Sequence, residues 1–305
     1  MREARVSIVN TAKVAVREDR DTLLARARER IDGVSRDRPD VILLTEQFAN
    51  CPTDNNECGT HKTAEDLKGP ITEELSALAR KHGCHIAYGL LRKDADRAFN
   101  SMVLLDRGGK PVWIYDKFTP VPYEMEQCGV LPGGEPKAYD ADFGRLGAAI
   151  CFDINFGELA EMWFKQDIEL LLFPSAFPAG RLLDSWVVRY GFALAGSTWY
   201  DNNRILDCTG AVLARTSDYC PYTTGVLNLN RRVVHMDGNM GAIDRMRTKY
   251  PGDVIVEDMR DEAVVVITSL KKGLEVKDLI REFGVETLYD YFQRSRRVRK
   301  EHGGV

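Results

Sequence analysis

Three residues that can do chemistry each come directly after a short apolar run of this chain. Glu46 follows residues 41–45, Lys117 follows residues 112–116, and Cys151 follows residues 146–150. Runs of this kind are typical of buried strands, and ligands bind at the carboxyl ends of strands in α/β sheets. Singly, the three could be a capping carboxylate, a surface lysine and a buried thiol. Together they can supply a base, a charge and a nucleophile, and their coincidence favours a catalytic site.

The elements that must position these residues predict an α/β protein. We expect strands near residues 5–9, 41–44, 85–90, 102–105, 112–115, 143–150, 168–173 and 263–268. Helical spacing or helix punctuation predicts helices near 23–31, 70–82, 158–164 and 182–194, and short strands fill 195–230. Residues 118–136 contain four prolines and predict a structured loop.

The domain organisation follows from the same patterns. We predict one α/β domain over residues 1–270 and a C-terminal helical extension over 271–305. In the extension, Val276, Leu279, Ile280 and Phe283 form a helical stripe that Leu288, Tyr291 and Phe292 continue after Gly284. The second part of the stripe is a candidate subunit contact.

Composition narrows the class of protein. With 305 residues, 44% of them hydrophobic, the chain can bury one large core or two modest ones, and its net charge of −4 argues against a general nucleic-acid binder. Its basic cluster at 294–300 is typical of a solvated helix end. No apolar run approaches the roughly 18 residues of a membrane span, and the N-terminus lacks a signal-peptide pattern. We expect neither a nucleic-acid nor a membrane partner.

The cysteines resemble neither a disulfide framework nor a metal site. Seven cysteines, an odd number, are scattered over the chain, a pattern that favours a reducing cytoplasm. Cys51, Cys58 and His61 lie close in sequence but lack the tight pairs and the fourth ligand of a zinc site. We interpret them as part of a polar loop over about residues 49–69, with no metal.

The motifs around the three reactive residues resemble those of the nitrilase superfamily of carbon–nitrogen hydrolases. The matching segments, in the family's order, are LLTE at 43–46, YDKF at 115–118 and GAAICFD at 147–153. Further likeness lies at 131–135, 143–147 and 172–176, so that about residues 5–230 are covered. Each motif is weak alone, but together they are specific. The resemblance implies that Glu46, Lys117 and Cys151 are a catalytic triad.

The family pattern includes a second glutamate several residues past the lysine. Glu124 is its natural match and Glu126 is the competitor, although either could be an ordinary solvated carboxylate. The sequence departs from the pattern at Gly157, where many relatives have proline. We expect this departure to change the start of the following helix rather than the chemistry.

The resemblance also implies a mechanism. Glu46 would accept the proton of the Cys151 thiol, which is ordinarily protonated near neutral pH. Lys117 and the backbone N–H of Phe152 would hold the oxyanion, and Glu124 would orient Lys117 or the substrate. A thioester on Cys151 would then be hydrolysed by water that Glu46 activates, without a metal or an organic cofactor.

For the fold and the partners, the resemblance implies an α-β-β-α sandwich that dimerisation completes as a four-layer sandwich. The expected partners are a small-molecule amide substrate and further copies of the chain, in a homodimer or a higher homo-oligomer. The predicted substrate contacts are Tyr123, Ser175 and Phe177. Trp186 and Trp199 could also line the pocket, but ordinary packing explains them better.

Three functions remain open at this point. The first is hydrolysis of a linear amide or a carbamoyl amide, and the second is a nitrilase. Nitrilases commonly carry Trp-Glu directly after the cysteine, whereas Phe152 and Asp153 stand here, as in amidase-type branches. The third is a catalytically silent binding or assembly protein, which an intact triad argues against. A papain-like site would need His235 as its base, with no orienting partner evident, and a redox thiol lacks a Cys-x-x-Cys pair.

Overall fold

The computed structural model describes residues 2–11, 19–50, 53–54, 57–58 and 60–304. The strands there are β1 (Glu3–Val9), β2 (Val41–Leu43), β3 (Thr53–Asp54), β4 (Glu57–Cys58), β5 (His85–Asp94), β6 (Arg97–Leu105), β7 (Pro111–Asp116), β8 (Tyr139–Asp140), β9 (Arg145–Ala148), β10 (Leu170–Ser175), β11 (Ala193–Thr198), β12 (Arg204–Leu206), β13 (Val212–Arg215), β14 (Tyr222–Asn228), β15 (Arg231–His235), β16 (Val254–Met259) and β17 (Val264–Ser269). The α-helices are α1 (Arg20–Val34), α2 (Thr60–Thr63), α3 (Pro70–His82), α4 (Pro122–Glu126), α5 (Gly157–Lys165), α6 (Arg181–Tyr190), α7 (Met240–Lys249), α8 (Val276–Phe283) and α9 (Leu288–Glu301).

Two six-stranded sheets form the centre of the molecule. The first has the order β14-β1-β2-β5-β6-β7 and the second the order β13-β12-β11-β10-β9-β8. In each, three central strands are parallel, β1-β2-β5 in the first and β9-β10-β11 in the second, and antiparallel strands flank them. Parallel strands must be covered on both faces, which requires helices outside the sheets.

The helices α1 and α3 cover the outer face of the first sheet. The side chain of Asp19 caps α1 by accepting a hydrogen bond from Thr22 N at 3.0 Å. The helix α3 begins at Pro70 and ends before Gly83, which adopts a left-handed φ of 63°, as the sequence predicts. Within β2 and its continuation, residues 42 and 44 pack among these helices, while residues 41 and 43 face the second sheet.

The outer face of the second sheet is covered by α5 and α6. Leu159, Ala160 and Trp163 of α5 and Leu183, Trp186 and Val187 of α6 are buried in the core that also fills the space between the sheets. The layers are therefore helix, sheet, sheet and helix. The predicted α-β-β-α sandwich is confirmed.

Two predicted segments differ from the structure. The loop expected at 118–136 contains the short helix α4, which begins at a proline, a favoured first helical residue. The helix expected to run to residue 194 ends at Tyr190, because Gly191 adopts a left-handed φ of 72°. A side chain at 191 would also lie 2.9 Å from Val233. The apolar residues that follow form β11.

The last quarter of the chain builds a third sheet, of order β15-β17-β16, against which α7 and α8 pack. The elements β15, α7 and β16 carry no signal that the sequence analysis recognised. The helix α9 lies against α5, where the ring centroids of Phe164 and Tyr289 are 5.3 Å apart. Arg296 binds Glu161 at 2.6 Å, so the basic cluster is partly ion-paired rather than only solvated. The division into domains at residue 270 and the subunit contact remain predictions.

The described cysteines include both free thiols and one disulfide-bonded residue. Cys84, Cys151, Cys208 and Cys220 are free thiols, whereas Cys128 is disulfide-bonded. The scattered cysteine pattern does not predict this bond, because pairing depends on which cysteines the fold brings together. Cys51 and the side chains of Cys58 and His61 lie outside the described part. In the described ranges, no helix is both long and apolar enough to cross a bilayer.

Candidate active site

The three reactive residues follow strands of two different sheets. Glu46 lies just beyond β2 and Lys117 directly after β7, both in the first sheet, whereas Cys151 follows β9 in the second. Because β7 is antiparallel to β6 and β6 to β5, β7 runs in the same direction as β2. The residues meet because two stacked sheets bring their strand ends together, not because the strands are neighbours in one sheet.

The Lys117 ammonium is the centre of the site. Its Nζ donates to Glu46 Oε1 at 3.0 Å and to Glu124 Oε2 at 2.8 Å. The side chains of Lys117 and Glu46 are 2% and 4% exposed, so the charges interact with little screening by water. Glu126, the alternative second glutamate, is exposed at the end of α4. The geometry therefore joins Glu124 to the cluster.

Asn100 completes the cluster and was missed by the sequence analysis. Its Nδ2 donates to Glu46 Oε1 and to Glu124 Oε1, both at 2.7 Å. The backbone carbonyl oxygen of Asn100 accepts from Lys117 N at 2.7 Å. The side chain is fully buried, and Oδ1 has no hydrogen-bond partner. A usable signal was present in the sequence: a polar Asn-Ser pair directly before the apolar residues of β6.

The turn that carries Glu46 is fixed from several sides. Ala176 N donates to Glu46 Oε2 at 2.6 Å, and Trp199 Nε1 donates to the Glu46 carbonyl at 2.7 Å. The next residue, Gln47, has a left-handed φ of 41°. The turn lies so close to Gly89 that a Cβ there would be 2.5 Å from Gln47 N and Glu46 Cα. Only glycine at 89 leaves room for this backbone.

Cys151 occupies a strained turn between β9 and α5. Its φ is 53°, which is unusual for a residue with a side chain, and a 3₁₀ helix (Cys151–Asn155) starts there. Asp153, fully buried, anchors the turn by accepting from Ile150 N at 2.9 Å and from Thr119 N at 2.7 Å. Since Thr119 follows Lys117 closely, Asp153 ties the turn of the thiol to the loop of the ammonium.

Burial and neighbouring charges shift the pKa values of Cys151, Lys117 and Asp153. Burial and the neighbouring Glu46 carboxylate raise the pKa of the Cys151 thiol to about 12, against the opposing influence of Lys117. Burial alone would lower the pKa of Lys117, but Glu46 and Glu124 raise it above its usual range. Burial also raises the pKa of Asp153 to about 6. Near neutral pH the cluster therefore holds a neutral thiol beside a permanent ammonium.

A cavity of about 170 Å³ opens onto these groups. It is lined by Glu46, Gln47, Lys117, Val121, Tyr123, Glu124, Cys128, Val130, Cys151, Ala176 and Trp199. Of the predicted substrate contacts, Tyr123 is in the wall and 43% exposed. Ser175 Oγ, buried, donates to the Phe177 carbonyl at 2.6 Å, and the Phe177 side chain packs against the core. Substrate binding by these three residues remains a prediction.

The remaining candidate residues are Phe152, Trp186 and His235. Phe152 is the second residue of the 3₁₀ helix, where N–H groups have no acceptor within the helix, which suits its predicted oxyanion role. Trp186 is buried in the core, as packing predicts. His235 belongs to the third sheet, where its ring stacks on Tyr291 with centroids 3.9 Å apart. The polar groups that act on the Cys151 thiol are Glu46, Lys117, Ala176 N and Ser175 rather than His235.

Comparison with known proteins identifies the family of the chain. The sequence model described as carbon-nitrogen hydrolase matches residues 5–197, more than half of the 305 residues. The chain belongs to the carbon–nitrogen hydrolase family. The omega-amidase NIT2 of Xenopus tropicalis is 26% identical to this chain over 188 residues, which are 58% of this chain and 65% of the relative. The match thus spans just under two thirds of that relative's length.

Solved structures share the fold of this chain. An amidase from Nesterenkonia sp. superposes with a TM-score of 0.62 at 17% identity, covering 73% of this chain and 88% of that one. A carbon-nitrogen hydrolase from Helicobacter pylori G27 gives a TM-score of 0.64 at 16% identity, with coverages of 82% and 94%. At such identities the likeness establishes the fold alone.

Proposed function

We propose that this carbon–nitrogen hydrolase cleaves a linear amide or a carbamoyl amide and releases ammonia or an amine. The observation that carries the proposal is the Lys117 ammonium, held at 3.0 Å from Glu46 and 2.8 Å from Glu124, beside the Cys151 thiol. This cluster offers a nucleophile, a base and an oxyanion-stabilising charge in one cavity. The relative named an omega-amidase supports an amide as the substrate.

In the first half-reaction, Cys151 Sγ forms a bond to the carbonyl carbon while its proton passes to Glu46. Because the pKa of the thiol is raised to about 12, almost none of it is ionised near neutral pH, and proton transfer accompanies the attack. Lys117 and the Phe152 N–H stabilise the oxyanion. Glu46 then gives the proton to the leaving nitrogen, the C–N bond breaks, and a thioester remains.

In the second half-reaction, Glu46 takes a proton from water as the water oxygen attacks the thioester carbon. The C–S bond breaks, the carboxylic product leaves, and the proton returns to Cys151 Sγ. Lys117 keeps its proton throughout, because Glu46 and Glu124 raise its pKa. It therefore acts as a fixed charge, and Glu46 alone moves protons.

The two alternative functions, a nitrilase and a catalytically silent binding protein, have weaker support. The relative described above is named an amidase, and Phe152 and Asp153 replace the Trp-Glu pair common in nitrilases, so a nitrilase is not favoured. A silent binding protein would have no need of a buried ammonium between two carboxylates next to a thiol. A homodimer or larger homo-oligomer and a cytoplasmic location remain predictions.

Ammonia release tests the proposal. The panel contains aliphatic amides, carbamoyl amino acids, glutamine-like amides and nitriles, with wild type measured beside Cys151→Ala. We expect release from an amide class that the variant loses. Release from nitriles alone would support the nitrilase instead. Silence across the panel, together with failure of Cys151 to react with an alkylating agent, would refute the hydrolase mechanism.

A further inference from the structure

Gln47 is one of the residues that line the cavity, and it does not belong to the charged cluster. Gln47 is only 6% exposed, and among the described residues its amide makes no hydrogen bond. Its polar atoms are nevertheless not sealed in the protein, in contrast to Asn100 Oδ1. Because Gln47 is a lining residue, its amide is within reach of the cavity with its donor and its acceptor both available.

The backbone holds this amide in place. Gln47 has a φ of 41°, a conformation that costs energy and persists only where the surroundings impose it. Trp199 fixes the preceding carbonyl at 2.7 Å, and the turn sits directly on Gly89. A side chain presented by such a constrained turn loses little freedom on binding a ligand, which favours specific recognition.

The cavity is small and carries a negative balance of charge. About 170 Å³ corresponds to roughly five or six water-sized groups at about 30 Å³ each. The charged groups in its described lining are Glu46, Glu124 and Lys117, and the ammonium is already bound by both carboxylates. A carboxylate on the substrate would enter beside two negative charges without a second cation among these residues, which opposes its binding.

We propose that the cavity takes a short, uncharged amide and that Gln47 hydrogen-bonds a neutral polar group on its acyl chain. This inference rests on the proposed amide hydrolysis and adds its substrate class. A primary amide side chain pairs with a neutral amide or hydroxyl through both donor and acceptor. A carboxylate has acceptors only, so it could receive a hydrogen bond from the Gln47 NH₂ group but would give none to the Gln47 oxygen.

Malonamide and malonamate provide a matched test, because they have the same shape and number of heavy atoms and differ in one charge. We expect wild type to show a kcat/KM at least about tenfold higher for malonamide, the worth of one hydrogen bond lost at the binding site. Gln47→Leu should lower the ratio of kcat/KM for malonamide to kcat/KM for butyramide, which has no polar acyl group, about tenfold. Gln127→Leu, the same change at an exposed glutamine, is the control.

The outcomes separate the inference from the proposed function. Equal or faster turnover of malonamate, or of malonamide relative to butyramide by Gln47→Leu, would overturn the inference while amide hydrolysis stands. Turnover of other amides but of neither malonyl compound would also overturn it. If no amide at all is cleaved, the proposed function itself fails. Should Gln47→Leu not fold, Gln47→Met keeps the length of the side chain without the amide donor and acceptor and is expected to show the same loss for malonamide relative to butyramide.

Discussion

Replacing Glu124 by glutamine removes one charge from the cluster while preserving the volume of the side chain. In the wild type, Glu124 Oε2 accepts from Lys117 Nζ at 2.8 Å and from Val121 N at 2.9 Å, and Oε1 accepts from Asn100 Nδ2 at 2.7 Å. All three partners are donors, and glutamine offers one acceptor oxygen. In either orientation its NH₂ group therefore faces a donor, and at least one hydrogen bond is lost.

The size of the effect follows from these contacts. A hydrogen bond to a charged group contributes about 1.5–3 kcal/mol, and about 1.4 kcal/mol corresponds to a tenfold change in rate. Because Lys117 loses a carboxylate partner in the position from which the proposed mechanism has it stabilise the oxyanion, we expect kcat/KM to fall roughly 10- to 150-fold. Glu126→Gln changes an exposed carboxylate of the same helix and is expected to stay within about twofold of wild type, as surface substitutions usually do.

Ammonia release from the best amide of the panel measures both variants, and urea unfolding establishes that they are folded. A further readout is the rate of Cys151 alkylation, which reports directly on the charge around the thiol. A Glu124→Gln protein that is folded and within about twofold of wild type would refute the reasoning. So would a fall of the same size in Glu126→Gln, since Glu126 would then be the residue that orients the site.

Three further predictions concern the thiol, its anchor and the turn of Glu46. Since the pKa of Cys151 is raised to about 12, alkylation by iodoacetamide should accelerate about tenfold per pH unit from pH 7 to 10. Burial raises the pKa of Asp153 from its usual 3.8 to about 6, so the folded state binds this proton more tightly and stability is lost as pH rises. The free energy of unfolding in urea, taken for wild type relative to Asp153→Asn, should therefore fall by about 2 kcal/mol between pH 4 and 7. Gly89→Ala places a Cβ 2.5 Å from Gln47 N and should lower kcat/KM at least about tenfold.

Each of the three has a decisive contrary result. A plateau in the alkylation rate below pH 9 would mean that the free protein already holds a thiolate. A difference between wild type and Asp153→Asn that is constant from pH 4 to 7 would mean that the carboxyl is not perturbed by burial. Gly134→Ala is the control for Gly89→Ala, because a Cβ there has nothing within 4 Å. Equal activity of the two alanine variants would show that the turn of Glu46 tolerates displacement.

The elements with local signals could be predicted from the sequence. The run at 41–44 is buried on both faces, since alternate residues face the helices and the second sheet, and such strands have continuous apolar sequences. The helix α3 is bounded by Pro70 and Gly83, whose backbone preferences act within a single turn. In both cases residues close in sequence determine the structure.

Elements decided by distant contacts were predicted less well. The helix expected at 182–194 includes Phe192, Ala193 and Leu194, which are apolar and suit a helix as well as a strand. They form β11 because β10 offers parallel pairing partners and Gly191 reverses the backbone beside Val233. Similarly, β15 and β16 exist through pairing with β17, which no local pattern reveals.

The candidate active site likewise combines features that local sequence predicts with features that depend on distant contacts. The positions of Glu46, Lys117 and Cys151 after strands follow from apolar runs, but their distribution over two sheets depends on the packing of the sandwich. Gln47 is a single polar residue without a motif, and Asn100 has only the Asn-Ser pair as a signal. The contacts of both become visible once the carboxylates and the cavity are placed. Motif resemblance leaves Glu124 and Glu126 open, and one contact to Lys117 distinguishes them.

The cost of the cluster is itself an argument for function. Burying an ammonium and two carboxylates sacrifices several kcal/mol of hydration per ion, and well-packed apolar residues often replace a buried ion pair without loss of stability. Stability alone therefore does not explain Lys117, whose side chain is 2% exposed between Glu46 and Glu124. A reaction that develops negative charge beside Cys151 does explain it, because a charge fixed in advance stabilises the transition state without reorganisation. Replacing all three charges together, by Glu46→Gln, Lys117→Met and Glu124→Gln, should accordingly give a urea midpoint near that of wild type or higher and yet abolish amide turnover. Lys117→Met alone would leave two buried carboxylates without their cation, and it should be destabilised by ~3–5 kcal/mol.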